Sequence, residues 1–166
     1  MSRFRRVGEN IQCTFPAAEY DLLIGLHAQL SGLVSNRDAT DRRFQRLFPP
    51  QVLDAQHADK PQLDDSNVTW REQTLTTAEA WLHTATQHRG IFRLTVALDA
   101  VDAVLQLIND MRLMLGASID IDAFDRDNLE ESDERQYALA VIDHLAWWQE
   151  ELLQLLTDDD IYDEPR

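Results

Sequence analysis

The sequence predicts a mainly α domain: a bundle of about four to five helices with a small N-terminal β-hairpin and a third strand over residues 91–96. Three observations predict it. Apolar residues recur at three- and four-residue spacing along several long stretches, the period of a helix buried on one side. The start of the chain and residues 91–96 alternate instead, with the period of two of a half-buried strand. The composition, 44% hydrophobic and 27% charged over 166 residues, supports a real core and a single domain over 1–166.

Taken in order, Phe4–Val7 leads into Gly8-Glu9-Asn10, a turn composition, and Ile11, Cys13 and Phe15 then alternate with Gln12 and Thr14. Pro16 suits the first turn of a helix from Ala17 to about Val34, where Tyr20, Leu23, Leu26, Leu30 and Leu33 share a face. Asn36 and Asp38 break it. A shorter helix holds Arg42, Arg43, Phe44, Leu47 and Phe48 and stops at Pro49-Pro50. Residues 51–64 lack any period and read as a surface loop. Asp65 or Ser66 caps a helix running to about His88, with Val68, Leu75, Ala78, Trp81, Leu82 and Ala85 inward and Arg89-Gly90 ending it. The strand over 91–96 pairs with the hairpin, since two strands alone are marginal.

Asp99 caps or begins the next helix, which ends at Gly116, a residue whose missing Cβ suits a C-cap. Residues 117–134 hold eight acids against one arginine and read as an exposed or disordered acidic loop. The last helix spans about Glu134 to Thr157 with Val141, Leu145, Trp148, Leu152 and Leu155 inward, and an acidic tail occupies 158–166.

The net charge is −15, unevenly spread. Through Phe48 there are seven arginines against five acids; beyond it, eight bases face 25 acids. Such a field repels phosphate and favours basic partners. No apolar run approaches the roughly 18 residues of a membrane span, and Gly8, Glu9 and Asn10 interrupt any signal-peptide core. The expected location is cytoplasmic, with no membrane contact.

On the 99–116 helix, Asp99, Asp102, Gln106, Asn109 and Asp110 fall on one side and Val101, Val104, Leu105, Ile108, Met111 and Leu115 on the other. Arg112 falls in the middle of the apolar arc. A buried guanidinium needs a carboxylate, carbonyl oxygens or a ligand, so Arg112 pairs within the molecule, across a dimer seam, or with a bound partner. Asn109 flanks the arc and can assist through its amide.

Cys13 lies on the apolar side of the hairpin. It serves either as a small hydrophobe or, if exposed and activated by Arg3, Arg5 and Arg6, as a redox-reactive thiol. The lone cysteine excludes an internal disulfide. Arg37, Arg42, Arg43 and Arg46 cluster around the short helix and offer a DNA-facing patch, or a solvated face salted against Asp38 and Asp41. Trp147 and Trp148 cannot both face inward on one helix, so one of them covers a dimer or partner surface. Glu79 and His83 share a helix face, but His88 lies off it and Asp143-His144 diverge, so no metal is expected. No nucleophile motif or phosphate-cradling glycine loop is present; the expectation is a non-enzymatic protein without cofactor.

The order of parts resembles the actinobacterial oxidative-stress regulator family AosR, formerly a domain of unknown function. The resemblance rests on Arg46-Leu47-Phe48-Pro49, on Asn109-Asp110-x-Arg112-Leu113-x-Leu115-Gly116, and on a closing helix with Leu145, Trp148, Gln149, Glu150 and Leu152. It implies a transcriptional regulator that responds to oxidants and works with an extracytoplasmic-function sigma factor and RNA polymerase. A switch by intramolecular disulfide needs two cysteines, and this chain has only Cys13. The other reading is a non-enzymatic, dimeric adaptor or structural protein with neither DNA contact nor redox role.

Overall fold

The computed structural model describes residues 3–49, 65–130 and 133–160. The loop expected over 51–64 and the end of the acidic tail lie outside them. Among the described residues the chain is mostly helical, with five α-helices and one antiparallel sheet of four strands. The strands are β1 (Phe4–Val7), β2 (Asn10–Pro16), β3 (Thr86–His88) and β4 (Ile91–Ala97), in the order β1-β2-β4-β3. The helices are α1 (Ala17–Asn36), α2 (Arg42–Leu47), α3 (Asp65–Leu82), α4 (Val101–Ser118) and α5 (Arg135–Asp160).

The expected hairpin forms, and β4 pairs with β2 along its length, Ile11 opposite Val96 and Cys13 opposite Leu94. These side chains, with Phe4 and Phe15, are buried on the face that the helices cover. Phe15 joins sheet to helices: its ring meets Phe4 and Trp81 edge-on at 6.1 and 6.3 Å and Trp148 at 4.9 Å. The opposite face carries Arg5, Gln12 and Thr95 in one row and Thr14, Arg93 and Thr86 in the next. None of the four strands contains an aspartate or glutamate.

The sheet is larger than expected because α3 ends six residues early, at Leu82 rather than His88. Beyond Leu82 the sequence His83-Thr84-Ala85-Thr86-Gln87-His88 offers almost no apolar stripe to bury. Thr84 closes the helix by donating to the Trp81 carbonyl at 2.7 Å, and its hydroxyl accepts the Thr95 amide at 3.0 Å. The Tyr20 hydroxyl donates to the Leu82 carbonyl at 3.2 Å. Arg89 and Gly90, with φ of 50° and 78°, are therefore the turn of a β3–β4 hairpin and not a helix terminus.

The helix α4 is the hub, packed against α1, α2, α3 and α5. It is entered through a 3-10 turn, Leu98–Ala100, so Asp99 sits in that turn and no side chain caps the helix. Gly116 does not end α4. It is buried inside the last turns, where a Cβ would stand 3.4 Å from Ile121 Cγ2. A second 3-10 turn, Ile121–Ala123, packs beside it; the left-handed residue past the terminus is Asp120, with φ 54°. The acidic stretch is therefore partly ordered among the described residues, and Asp120, Asp122 and Asp133 are tied to arginines.

Candidate functional site

The chemistry concentrates where α3 meets α4. Asp110 is 1% exposed, against the outward position that the face analysis gave it. The buried arc of α4 is rotated from the expected one: Leu107 and Met114 are buried with Asp110, whereas Arg112, expected in the middle of the apolar arc, is half-buried with Leu105 and Leu115, because α3 covers the flank that would otherwise face water. Arg71 of α3 donates from Nη1 to Asp110 Oδ1 at 2.6 Å, and Gln106 Nε2 donates to the same oxygen at 2.7 Å. The Arg71 guanidinium also stands 4.9 Å from the Phe48 ring centroid, which ties α2 into the cluster. Burial raises the Asp110 carboxyl above the ordinary range, while Arg71 and Gln106 pull it back. A buried pair of this kind costs desolvation on forming, yet removing one partner strands the other and costs about 3–5 kcal/mol.

Two residues on, Arg112 is half-buried and donates from Nη1 to Gln149 Oε1 of α5 at 2.8 Å. Its partner is thus a neutral amide of the same chain. Between these two anchored contacts runs a groove of about 600 Å³ over α3 and α4, which Gln149 also reaches. Asn109, Gln106 and Gln149 line it, with Thr74 and Thr77 across from them and Trp70 at the edge. Asp110 holds the Gln106 amide and Arg112 holds the Gln149 amide, so the signature residues fix two of the polar groups that the groove presents. Asp99 and Asp102 also line it, and neither has an ion pair among the described residues.

The arginines around α2 differ. Arg37 meets Glu72 at 3.2 Å, Arg43 meets Asp41 at 2.6 Å, Arg46 meets Asp122 at 3.6 Å, and Arg42 pairs with Asp120. Two of these partners come from the acidic stretch after α4, where the sequence pointed to Asp38 and Asp41. Asp38 instead accepts the Thr40 amide and hydroxyl at 2.8 and 2.7 Å. Asp41 caps α2 by accepting the Arg43 amide, and the Arg43 side chain holds its carboxyl down at about 2. Arg3 pairs with Glu19 and lies 5.3 Å from the Trp148 ring, on the side where β1 meets α5, while α2 packs on α4 and α1.

Cys13 is buried in the sheet core. Burial pushes its thiol up to about 12, with Trp81 opposing the shift, whereas activation by the neighbouring arginines would have lowered it. Trp148 is buried and Trp147 exposed, as two adjacent positions on one helix require. Among the described residues no three His, Cys, Asp or Glu side chains gather as metal ligands, and no helix is long and apolar enough to cross a membrane.

The family model described as Domain of unknown function (DUF2017) matches residues 1–156. The chain belongs to that family. No curated protein and no solved structure matches it. In this DUF2017 chain, sequence reasoning found Asn109, Asp110 and Arg112 but missed Arg71 and Trp70. A signal for Arg71 exists: it stands at helical spacing between Val68 and Leu75 on the inward stripe of α3, the one charge in that row. Trp70, one residue along, points outward and carries no such mark.

Proposed function

We propose that this chain is a non-enzymatic transcriptional regulator of the oxidative-stress response that works by docking on a sigma factor or RNA polymerase, with little grip on DNA of its own. The observation that carries the reading is the disposition of ion pairs. Arg37, Arg42, Arg43 and Arg46 already face carboxylates of this chain, while Asp99 and Asp102 beside the groove pair with no cation among the described residues. The carboxylates beside those arginines offset the positive potential that a DNA surface presents to phosphate. The resemblance carried by Asn109, Asp110, Arg112 and Gly116 supplies the biological setting. The buried Cys13 supports a role downstream of the oxidant, with the redox event in the partner.

Size-exclusion chromatography of the purified chain with sigma factors and polymerase holoenzyme from its own source tests this, beside mobility shifts with promoter duplex. Co-elution with sigma factor or holoenzyme, and no shift by the chain alone at physiological salt, is the expected result. Tight duplex binding by the chain alone, lost in Arg42→Ala/Arg43→Ala/Arg46→Ala, overturns it. The half-exposed Trp147 favours a second reading, a dimeric adaptor, which sedimentation of wild type against Trp147→Ala distinguishes.

A further inference from the structure

We infer that the α3–α4 groove receives an arginine- or lysine-bearing segment of the protein partner, with Trp70 as the surface on which a basic side chain stacks. This rests on the docking function above and names its surface. Trp70 is 51% exposed, the most exposed tryptophan among the described residues, and it lines the groove. An indole face is the best side-chain acceptor for a cation, and tryptophan is enriched among residues that dominate protein interfaces. Asp99 and Asp102 line the same groove without ion pairs among the described residues, and a guanidinium fork can bond a carboxylate through two parallel hydrogen bonds.

The groove also keeps hydrogen-bonding capacity unspent. Gln106 gives its Nε2 to Asp110 and Gln149 its Oε1 to Arg112, so among the described residues one retains a carbonyl oxygen and the other an amide N–H without a protein partner. An extended main chain needs one acceptor and one donor of that kind. The Arg71–Asp110 pair and Arg112 thereby act as positioning residues for amides they hold from behind. Charge selects the occupant: two unpaired carboxylates on a chain of net −15 repel nucleic acid and acidic peptides and attract basic ones. A volume of about 600 Å³ suits a few side chains of a segment.

The test uses the full chain and fluorescein-labelled short peptides bearing two arginines, two lysines, two alanines or two glutamates. Fluorescence anisotropy should show binding in the order arginine, lysine, then alanine and glutamate. Trp70→Ala should weaken the arginine peptide by about tenfold or more. Asp99→Asn/Asp102→Asn should weaken it several-fold and flatten its salt dependence, and Trp147→Ala should change nothing. Equal binding of all peptides, or binding insensitive to Trp70→Ala and to Asp99→Asn/Asp102→Asn, overturns the inference. If sigma factor or holoenzyme binds wild type and these variants alike, docking stands and the groove is not its surface. If the arginine peptide binds through the groove but neither sigma factor nor holoenzyme does, the surface stands and the regulator reading falls. A wild-type dimer that Trp70→Ala makes monomeric assigns the groove to a second copy and sinks the partner assignment.

Discussion

Arg71 and Arg42 each meet one aspartate, but in different solvents. Arg71 and Asp110 are 12% and 1% exposed and share their oxygen with Gln106, whereas Arg42 and Asp120 are 63% and 47% exposed. Around Arg42 water screens the attraction and would replace it at little cost. Around Arg71 no water waits to solvate an abandoned charge. The surface pairs therefore set the charge that a partner sees, and the interior pair sets how α2, α3 and α4 fit together.

The sharpest way to break this contrast is Asp110→Ala, which should destabilise the fold by about 3–5 kcal/mol in urea titration. Arg71→Met/Asp110→Leu should recover most of that loss, because it strands no charge and leaves only the half-buried Gln106 amide without its acceptor. A loss near that of a surface substitution in the single variant would refute the interior assignment. Next in size is Cys13→Ser, which places a hydroxyl in the apolar sheet core and should cost about 1–3 kcal/mol, against a smaller cost for Cys13→Ala.

The thiol also predicts a pH effect. Its folded value lies near 12 against 9.0 for a free cysteine. Above pH 9 the unfolded chain sheds this proton while the folded chain keeps it, so its contribution to stability falls as pH rises from about 9 to about 12. Cys13→Ala should lack that slope, and the native thiol should resist an aromatic disulfide reagent until the protein unfolds. Rapid labelling of folded protein at neutral pH would contradict the burial account.

Arg112→Met should cost less than Arg112→Ala, by about 1 kcal/mol, since methionine keeps the packed stem and loses only a bond to a neutral amide; a larger loss for methionine would overturn that. Smallest of all, Arg42→Ala and Arg46→Ala should each shift stability by less than about 1 kcal/mol, and less at high salt.

How far the sequence could be read follows from where its signals are local. The α1 and α5 stripes, the first hairpin and the pairing of β4 depend on short-range periodicity, and all of them formed as expected. The strand β3 has three exposed residues and no alternation, and it exists because the Arg89-Gly90 turn folds it onto β4. Gly116 reads as a terminus because Ile121, which packs beside it, lies beyond the turn and is not adjacent in sequence. Asp110 looks outward on the wheel because the wheel knows nothing of α3. The groove joins residues from separate helices, so only its signature wall on α4 was visible beforehand.

The acid-free strands have a consequence for what an approaching molecule meets. The open side of the sheet shows Arg5 and Arg93, while every aspartate and glutamate in the described chain lies on helices, turns or loops. Among the described residues the open side of the sheet is thus a basic patch on a chain that is negative overall. A partner that meets the strands meets guanidinium groups, whereas one that meets the α3–α4 groove meets carboxylates.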